Sequence, residues 1–243
     1  NNLIQLEYSG FDGATVPICT FTLRKRYIEN ARGSYIRLSD FKGSENQAPK
    51  ALEAIQNPQC GWFYTANQKD FEHLPSLRIG YWLSQKSIAS FENSKVIGQM
   101  GVARRGLQPG YPDKFKRRWF EVSSTNTQKE YKERILSIND NYKWYYYNDG
   151  GDSLRWFGTL NYIINWEDDG LNIKKCGKAI IPNEKLYFKE GITWNKISSG
   201  PIKARFLEKG IISGDAAPFF ISNNPLVFIG FFNSKVTVEI LKL

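Results

Sequence analysis

The chain has 243 residues, with 33 lysines and arginines against 24 acids and a formal charge of +9. That length buries a sizeable core, as one large domain or two small ones, and the basic excess points to a polyanionic partner, most often nucleic acid. Cys19, Cys60 and Cys176 form no CxxC pair and His73 is the single histidine, which argues against a disulfide framework, a zinc site or a histidine metal cluster and fits a reducing, cytoplasmic setting.

The first elements read as strands. "LIQLEY" (3 to 8) and "TVPICTFTL" (15 to 23) are apolar, β-prone runs joined by the turn "SGFDGA", a hairpin pattern. "SYIRLSDF" (34 to 41) predicts a third strand. "NQAPKALEAIQNP" (46 to 58) predicts a short helix with Pro49 in its first turn, an apolar face of Ala51, Leu52 and Ile55, and Pro58 as its stop. Tyr81, Trp82, Leu83, Ile88 and Phe91 read as part of a helix or a strand-helix junction.

From Gly98 the composition shifts toward Gly, Arg, Tyr and Trp. Short strand-like runs alternate with turns: "KWYYY", "NYIINW", "KAII", "KLYF", "GITW", "KARFL" and "GIIS". The expected fold is α+β, a mixed, largely antiparallel sheet with short helices and an irregular, loop-rich second part. The closing "NSKVTVEILKL" reads as a helix capped by Asn233 or Ser234, with Val236, Ile240 and Leu243 near helical spacing and the helix still under way, so a C-terminally truncated fragment is expected. No signal peptide is expected, since Asn1-Asn2 opens the chain without a basic or long apolar segment. The most apolar run, Pro225 to Phe232, is too short to span a membrane.

Two stretches suggest contact with a polyanion. "GVARRGLQPGYPDKFKRRWFEV" (101 to 122) carries Arg104, Arg105, Lys114, Lys116, Arg117 and Arg118 against the single acid Asp113, before Glu121. Its glycines and prolines predict a loop. Arginines on a loop can follow a phosphate backbone or read guanine in the major groove; a solvated basic loop is the competing reading. "KWYYYNDGGDSLRWFGTLNYIINW" (143 to 166) has eight aromatic residues in 24. Alternation along a strand would bury Trp144 and Tyr146 and expose Tyr145 and Tyr147, or the reverse. Most of these rings are expected in a core, with Lys143, Asn148, Asp149 and Arg155 around the turn at the surface.

Other chemistry is thinly supported. Pro112-Asp113 with Glu130-Tyr131-Lys132 echoes the PD…ExK arrangement in which two carboxylates and a lysine hold Mg²⁺, but Glu130 and Lys132 lie in a polar, helix-like run. No glycine-rich strand-turn-helix loop for a nucleotide or S-adenosylmethionine is evident. The amino-methyltransferase tetrapeptide is missing too; "NPQC" and "NNPL" lack its second proline and its ring. No catalytic centre and no metal site is expected within the chain.

The runs "LIQLEYSGFDGATVPICTFTLR", "YIRLSDFKG", "LRIGYWLS", "KWYYYNDGGDSLRWFGTLNYIINWEDDG" and "LYFKEGITWNKISSGPIKARF" together resemble the C-terminal half of large adenine-specific DNA methyltransferases, in particular the PglX type of BREX phage-defence systems, and related type II restriction-modification enzymes. The resemblance implies that residues 1–42 are terminal strands of an S-adenosylmethionine-dependent catalytic domain, 43–60 a connecting helix or linker, and 61–243 a target recognition domain that grips double-stranded DNA. It also implies S-adenosylmethionine in the intact parent, none in this fragment, a flipped adenine methylated at N6, and other defence-system subunits as partners. Arg104-Arg105, Tyr111-Pro112, Tyr146 and Asp149 depart from the family pattern, so the recognised sequence does not transfer. The residues expected to touch DNA are Arg104, Arg105, Lys116, Arg117, Arg118, Lys143 and Arg155, through backbone or base, with Asn148 expected in base or turn contact. Two alternatives stay open: a Mg²⁺-dependent nuclease using Asp113, Glu130 and Lys132, and a protein-interaction module whose basic loop docks an acidic partner.

Overall fold

The computed structural model describes residues 1–13, 15–128, 142–151, 154–158, 160–198 and 200–241. They fall into two compact units, Asn1–Ser94 and Lys95–Lys242. The hairpin expected at the start is present: β1 (Asn2–Gln5) pairs antiparallel with β2 (Cys19–Thr22). β3 (Arg32–Arg37) runs parallel to β1 and antiparallel to β4 (Phe63–Asn67), giving the order β2-β1-β3-β4.

β3 is covered on both faces, and its alternation shows it. Tyr35 points into a cluster with Ala66, Phe71, Leu74, Tyr81 and Ile88, where Tyr81 stacks on it at 4.7 Å between ring centroids. Ile36 points the other way, against Leu38 and Ala54. Ala54 comes from α1 (Ser44–Gln56). Ile88 comes from α2 (Gln85–Asn93), whose first turn is capped by the Ser84 hydroxyl accepting from Ser87 N–H.

α1 begins earlier than expected, so Pro49 lies inside it rather than in its first turn. Its buried face is also different. Leu52 and Ile55 are 58% and 60% exposed, while Gln47 and Ala54 are buried. Gln47 sets this rotation: its side-chain amide donates to the carbonyls of Phe41 and Gly43, and its Oε1 accepts from Glu7 N–H. A buried amide with three partners outweighs two apolar side chains on the flank of a short helix.

The second unit contains β5 (Gly101–Arg104), β6 (Lys116–Arg118), β7 (Trp144–Asn148), β8 (Tyr162–Asn165), β9 (Gly191–Thr193), β10 (Arg205–Leu207), β11 (Ile212–Ser213) and β12 (Phe219–Ser222). One sheet has the order β10-β9-β12-β5 and the other β11-β7-β8-β6. All pairings are antiparallel except β11 with β7. The helices are α3 (Ile97–Met100), α4 (Pro112–Phe115), α5 (Glu167–Lys174), α6 (Pro225–Phe232) and α7 (Lys235–Leu241). The whole is an α+β fold of small, mostly antiparallel sheets and short helices, as expected from the sequence. Among the described residues no helix is long and apolar enough to cross a membrane.

The aromatic stretch resolves by strand alternation. Tyr145 and Tyr147 are buried with Ile164, Trp166, Tyr187 and Phe188, while Trp144 and Tyr146 are half-buried. The apolar run Pro225–Phe232 forms α6, whose Phe228 and Ile229 pack on Ile192 and Phe220. Two runs read as strands are not strands. "KLYF" enters a 3₁₀ turn at Glu184–Leu186, with Phe188 at φ 66° turning its ring into the core, and "KAII" makes one bridge, Ile180 to Gln108. The closing helix is capped by Ser234, whose hydroxyl accepts from Thr237 N–H at 3.2 Å, and it buries Thr237 while Val236 and Ile240 stay exposed. Asn233 is occupied otherwise: its amide clamps both backbone groups of Ala204 at 2.9 Å. Leu243 lies outside the described residues.

Candidate nucleic-acid interface

The basic stretch 101–122 was expected to be a loop, and it is not one. It supplies two edge strands, β5 and β6, with α4 between them. Gly106, Pro109 and Gly110 lie in the connection between β5 and α4, where Gly106 is required. A Cβ there would fall on the Ser213 carbonyl, because Leu107 N–H donates to that carbonyl at 2.8 Å. Lys116–Arg118 can be extended and charged because β6 has a paired neighbour on one side alone.

Register then sorts the cations. Arg117 pairs with Ile163 and Trp144 with Asn165, so Arg117, Trp144 and Asn165 share one face of the sheet, and Lys116 and Arg118 share the other with Tyr162. On the first face lies a cleft of about 530 Å³ lined by Lys114, Phe115, Arg117, Lys143, Trp144, Asn165, Asn172, Lys175 and Cys176. Four of its lining residues are cationic and none is acidic. The Arg117 guanidinium is aimed by donating to the carbonyls of Asp113 and Lys116. Asn165 is buried, and its Oδ1 accepts from Glu167 N–H at 3.3 Å.

α5, which carries Asn172 at its rim, is set by an unusual turn. Asp168, Asp169 and Gly170 all have positive φ, a conformation that costs a non-glycine residue about 1–2 kcal/mol. It is held from both sides. Trp166 Nε1–H donates to Asp169 Oδ1 at 3.2 Å, and Lys174 bridges the carboxylates of Asp169 and Glu184 at 2.8 and 2.6 Å. Burial draws the Lys174 pKa down, but those two carboxylates more than offset it and leave it raised.

Of the expected contact residues, the cleft collects Arg117 and Lys143. Lys116 is paired with Asp149 at 2.6 Å and lies over the Tyr162 ring; Arg118 is exposed, also over Tyr162. Arg104 is exposed on β5, in the other sheet, and Arg105 approaches Asp215 at 4.0 Å. Arg155 is exposed in the β7–β8 connection. Asn148 was expected at the surface and is buried instead: its Nδ2 donates to Thr193 Oγ1 at 3.0 Å and its Oδ1 accepts from Gly150 N–H, so it builds the turn. Asn148 closes β7 on the same face as Tyr146, and that face is covered as well: Tyr146 packs against Leu207, Ile211 and Phe219, and the Asn148 amide meets Thr193 of β9. Asp113 is exposed at the start of α4, and Glu130 and Lys132 lie outside the described residues. Among the described residues no group of three His, Cys, Asp or Glu side chains is arranged to hold a metal. Lys175 and Asn172 were not anticipated; the signal available was the basic run "IKKCGK", read only as a strand start at its end.

No protein-family model matches the chain. It is 32% identical over 246 aligned residues, 95% of its length, to the adenine-specific methyltransferase PglX of Lacticaseibacillus casei (strain Zhang), of which the match covers 20%. It is 30% identical over 222 residues, 90% of its length, to the adenine-specific methyltransferase BrxX of Escherichia coli O9:H4 (strain HS), of which the match covers 17%. The chain thus spans about a fifth of the length of these curated relatives. Over nine-tenths of its residues, it is homologous to a portion of the adenine-specific methyltransferases of the PglX and BrxX type.

Proposed function

We propose that the second unit is the part of an adenine N6-methyltransferase that holds double-stranded DNA, with the cationic cleft following the phosphate backbone. The observation that carries this reading is the cleft itself: Lys114, Arg117, Lys143 and Lys175 line one cavity with no acid among them. Backbone phosphates are met by such clusters, with the forked guanidinium giving directed contacts and the lysines acting as point charges. Asn165 and Asn172 add polar groups suited to sugar, phosphate or base edges.

The parent enzyme would use S-adenosylmethionine, flip its target adenine and serve phage defence beside other subunits in the cytoplasm, as the family resemblance implies. The described residues of this chain do not fit the cofactor. The strand-to-helix turn from β3 to α1 carries one glycine, Gly43, with the Glu45 carboxylate packed against it, and not a glycine-rich cradle. No step of the methyl transfer is therefore assigned to these residues.

The test is a salt titration of duplex binding by the full chain. Four phosphate contacts give a slope of log K against log salt of about −3 to −4. Arg117→Ala and Lys143→Ala should each lower it by about 1. Salt-independent binding, or none at low salt, would sink the reading. Asp113→Ala on the same substrate covers the nuclease alternative, since Mg²⁺-dependent cutting that needs Asp113 is incompatible with a purely binding role.

A further inference from the structure

Directly after β6 the chain turns through Trp119–Glu121, and Trp119 and Phe120 leave that turn 55% and 61% exposed. The rings meet edge-on, with centroids 5.7 Å apart and planes at 87°. The backbone beneath them is fixed. Trp119 N–H donates to the Asn161 carbonyl at 3.2 Å, continuing the β6–β8 ladder, and the Glu121 carboxylate accepts from Arg118 N–H at 2.7 Å. Two adjacent large rings, displayed in water on a pinned turn, add little to folding; such exposed apolar pairs mark contact surfaces.

Their setting says what the contact is. Arg118 immediately precedes the rings and Arg117, in the cleft, lies two residues before Trp119. Two residues of extended chain span about 7 Å, which matches about two steps of one DNA strand at 3.4 Å each. With the Arg117 guanidinium on a phosphate, as proposed for the cleft, the ring two residues on would lie within about two nucleotides of it. An apolar protein partner would not call for a cation on the strand leading into the rings.

We infer that Trp119 and Phe120 form an aromatic wedge that packs against a base step of the bound duplex while the neighbouring cations hold its phosphates. The inference rests on the proposed role of the cleft and adds base contact to it. Apolar wedges of this kind partly unstack the step they meet, and an aromatic ring on a base is sequence-tolerant and, being uncharged, displaces no counterion and adds nothing to the salt slope.

The experiment uses the full 243-residue chain and a mixed-sequence duplex carrying 2-aminopurine in turn at each adenine. Trp119→Ala and Phe120→Ala should each weaken binding by about fivefold or more with the salt slope unchanged, whereas Arg117→Ala changes the slope. Trp119→Tyr should keep most of the affinity. Wild-type binding should raise 2-aminopurine fluorescence at one or two positions, and the double alanine variant should not. Because the rings are exposed, melting temperatures should match the wild type. Unchanged affinity and fluorescence in the alanine variants would overturn the wedge and leave the cationic cleft standing. A changed salt slope in Trp119→Ala would overturn it too, since the residue would then act through the phosphates. A wild-type chain that binds no duplex at low salt overturns both proposals.

Discussion

The Lys116 ammonium lies 2.6 Å from the Asp149 carboxylate, which ties the cationic strand β6 to the turn that follows β7. Both side chains are about three-quarters buried, and the pair holds one of the basic residues of the 101–122 stretch out of solution. Asp149→Ala should free it. Duplex binding is expected to tighten several-fold, with the salt slope steeper by up to about 1, while stability falls by about 1–3 kcal/mol, because the partner removed is mostly buried. Anisotropy titrations at two or more salt concentrations, beside a urea melt, separate the two effects.

Asn148 provides the complementary case. Its amide is buried and holds Thr193 Oγ1 and Gly150 N–H. Asn148→Ala removes both bonds and leaves Gly150 N–H without this acceptor, while Thr193 Oγ1 keeps its bond to the Pro218 carbonyl, at a cost of about 1–3 kcal/mol. The urea midpoint should drop accordingly, and the salt slope of DNA binding should not move. A changed slope with unchanged stability would make Asn148 a contact residue after all.

Gly170 sits at φ 74° with the Trp166 ring where a Cβ would go, 2.8 Å from its nearest atom. Gly170→Ala therefore meets both backbone strain and a clash with a fully buried indole. About 2–3 kcal/mol of lost stability is expected, or a melting temperature lower by about 5–10 °C. Gly98→Ala, which meets open space, is the control and should leave the melting temperature nearly unchanged.

Alkaline pH should weaken the second unit. Burial pushes the Tyr147 hydroxyl well above its ordinary range, with Asp149 adding to the effect, and Lys174 is raised by its two carboxylates. Both groups hold their proton more tightly folded than unfolded. Their contribution is fully present below the unfolded values near pH 10 and is lost as pH rises through the folded ones. Urea midpoints should be flat from about pH 8 to 9.5 and fall above pH 10. Tyr147→Phe, which loses the hydrogen bond to the Leu107 carbonyl, should be about 1 kcal/mol less stable at pH 8 and show a shallower alkaline fall.

Local pattern carried much of the fold. The hairpin of β1 and β2 follows from its turn residues, the tyrosines of β7 sort by alternation, and Ser234 caps where its position suggested. Partner choice did not show. A period of two says which face a residue takes and not which strand lies alongside, so the parallel pairs β1–β3 and β7–β11 had no local signature. The rotation of α1 was hidden for a related reason: Gln47 takes its partners from Glu7, Phe41 and Gly43, one of them forty residues away. The cleft was half legible. Arg117 and Lys143 stand in conspicuous basic or aromatic runs, whereas Lys175 reaches them from beyond β8, and what joins them is tertiary folding alone.

The edge position of β6 has a second consequence. A strand with one free side offers unpaired backbone groups to any other strand, including the same strand of another copy. On β6 the chain closes much of that side itself, with Lys116 N–H bonded to the Pro112 carbonyl, the Lys116 carbonyl to the Arg117 guanidinium and Arg118 N–H to the Glu121 carboxylate, and two copies approaching edge to edge would also bring Arg117 and Arg118 against their like charges. The charge that suits a phosphate chain thus also guards the protein against self-association. The guard weakens wherever polyanions or high salt neutralise it, and turbidity of the chain at rising salt without DNA is the place to see this.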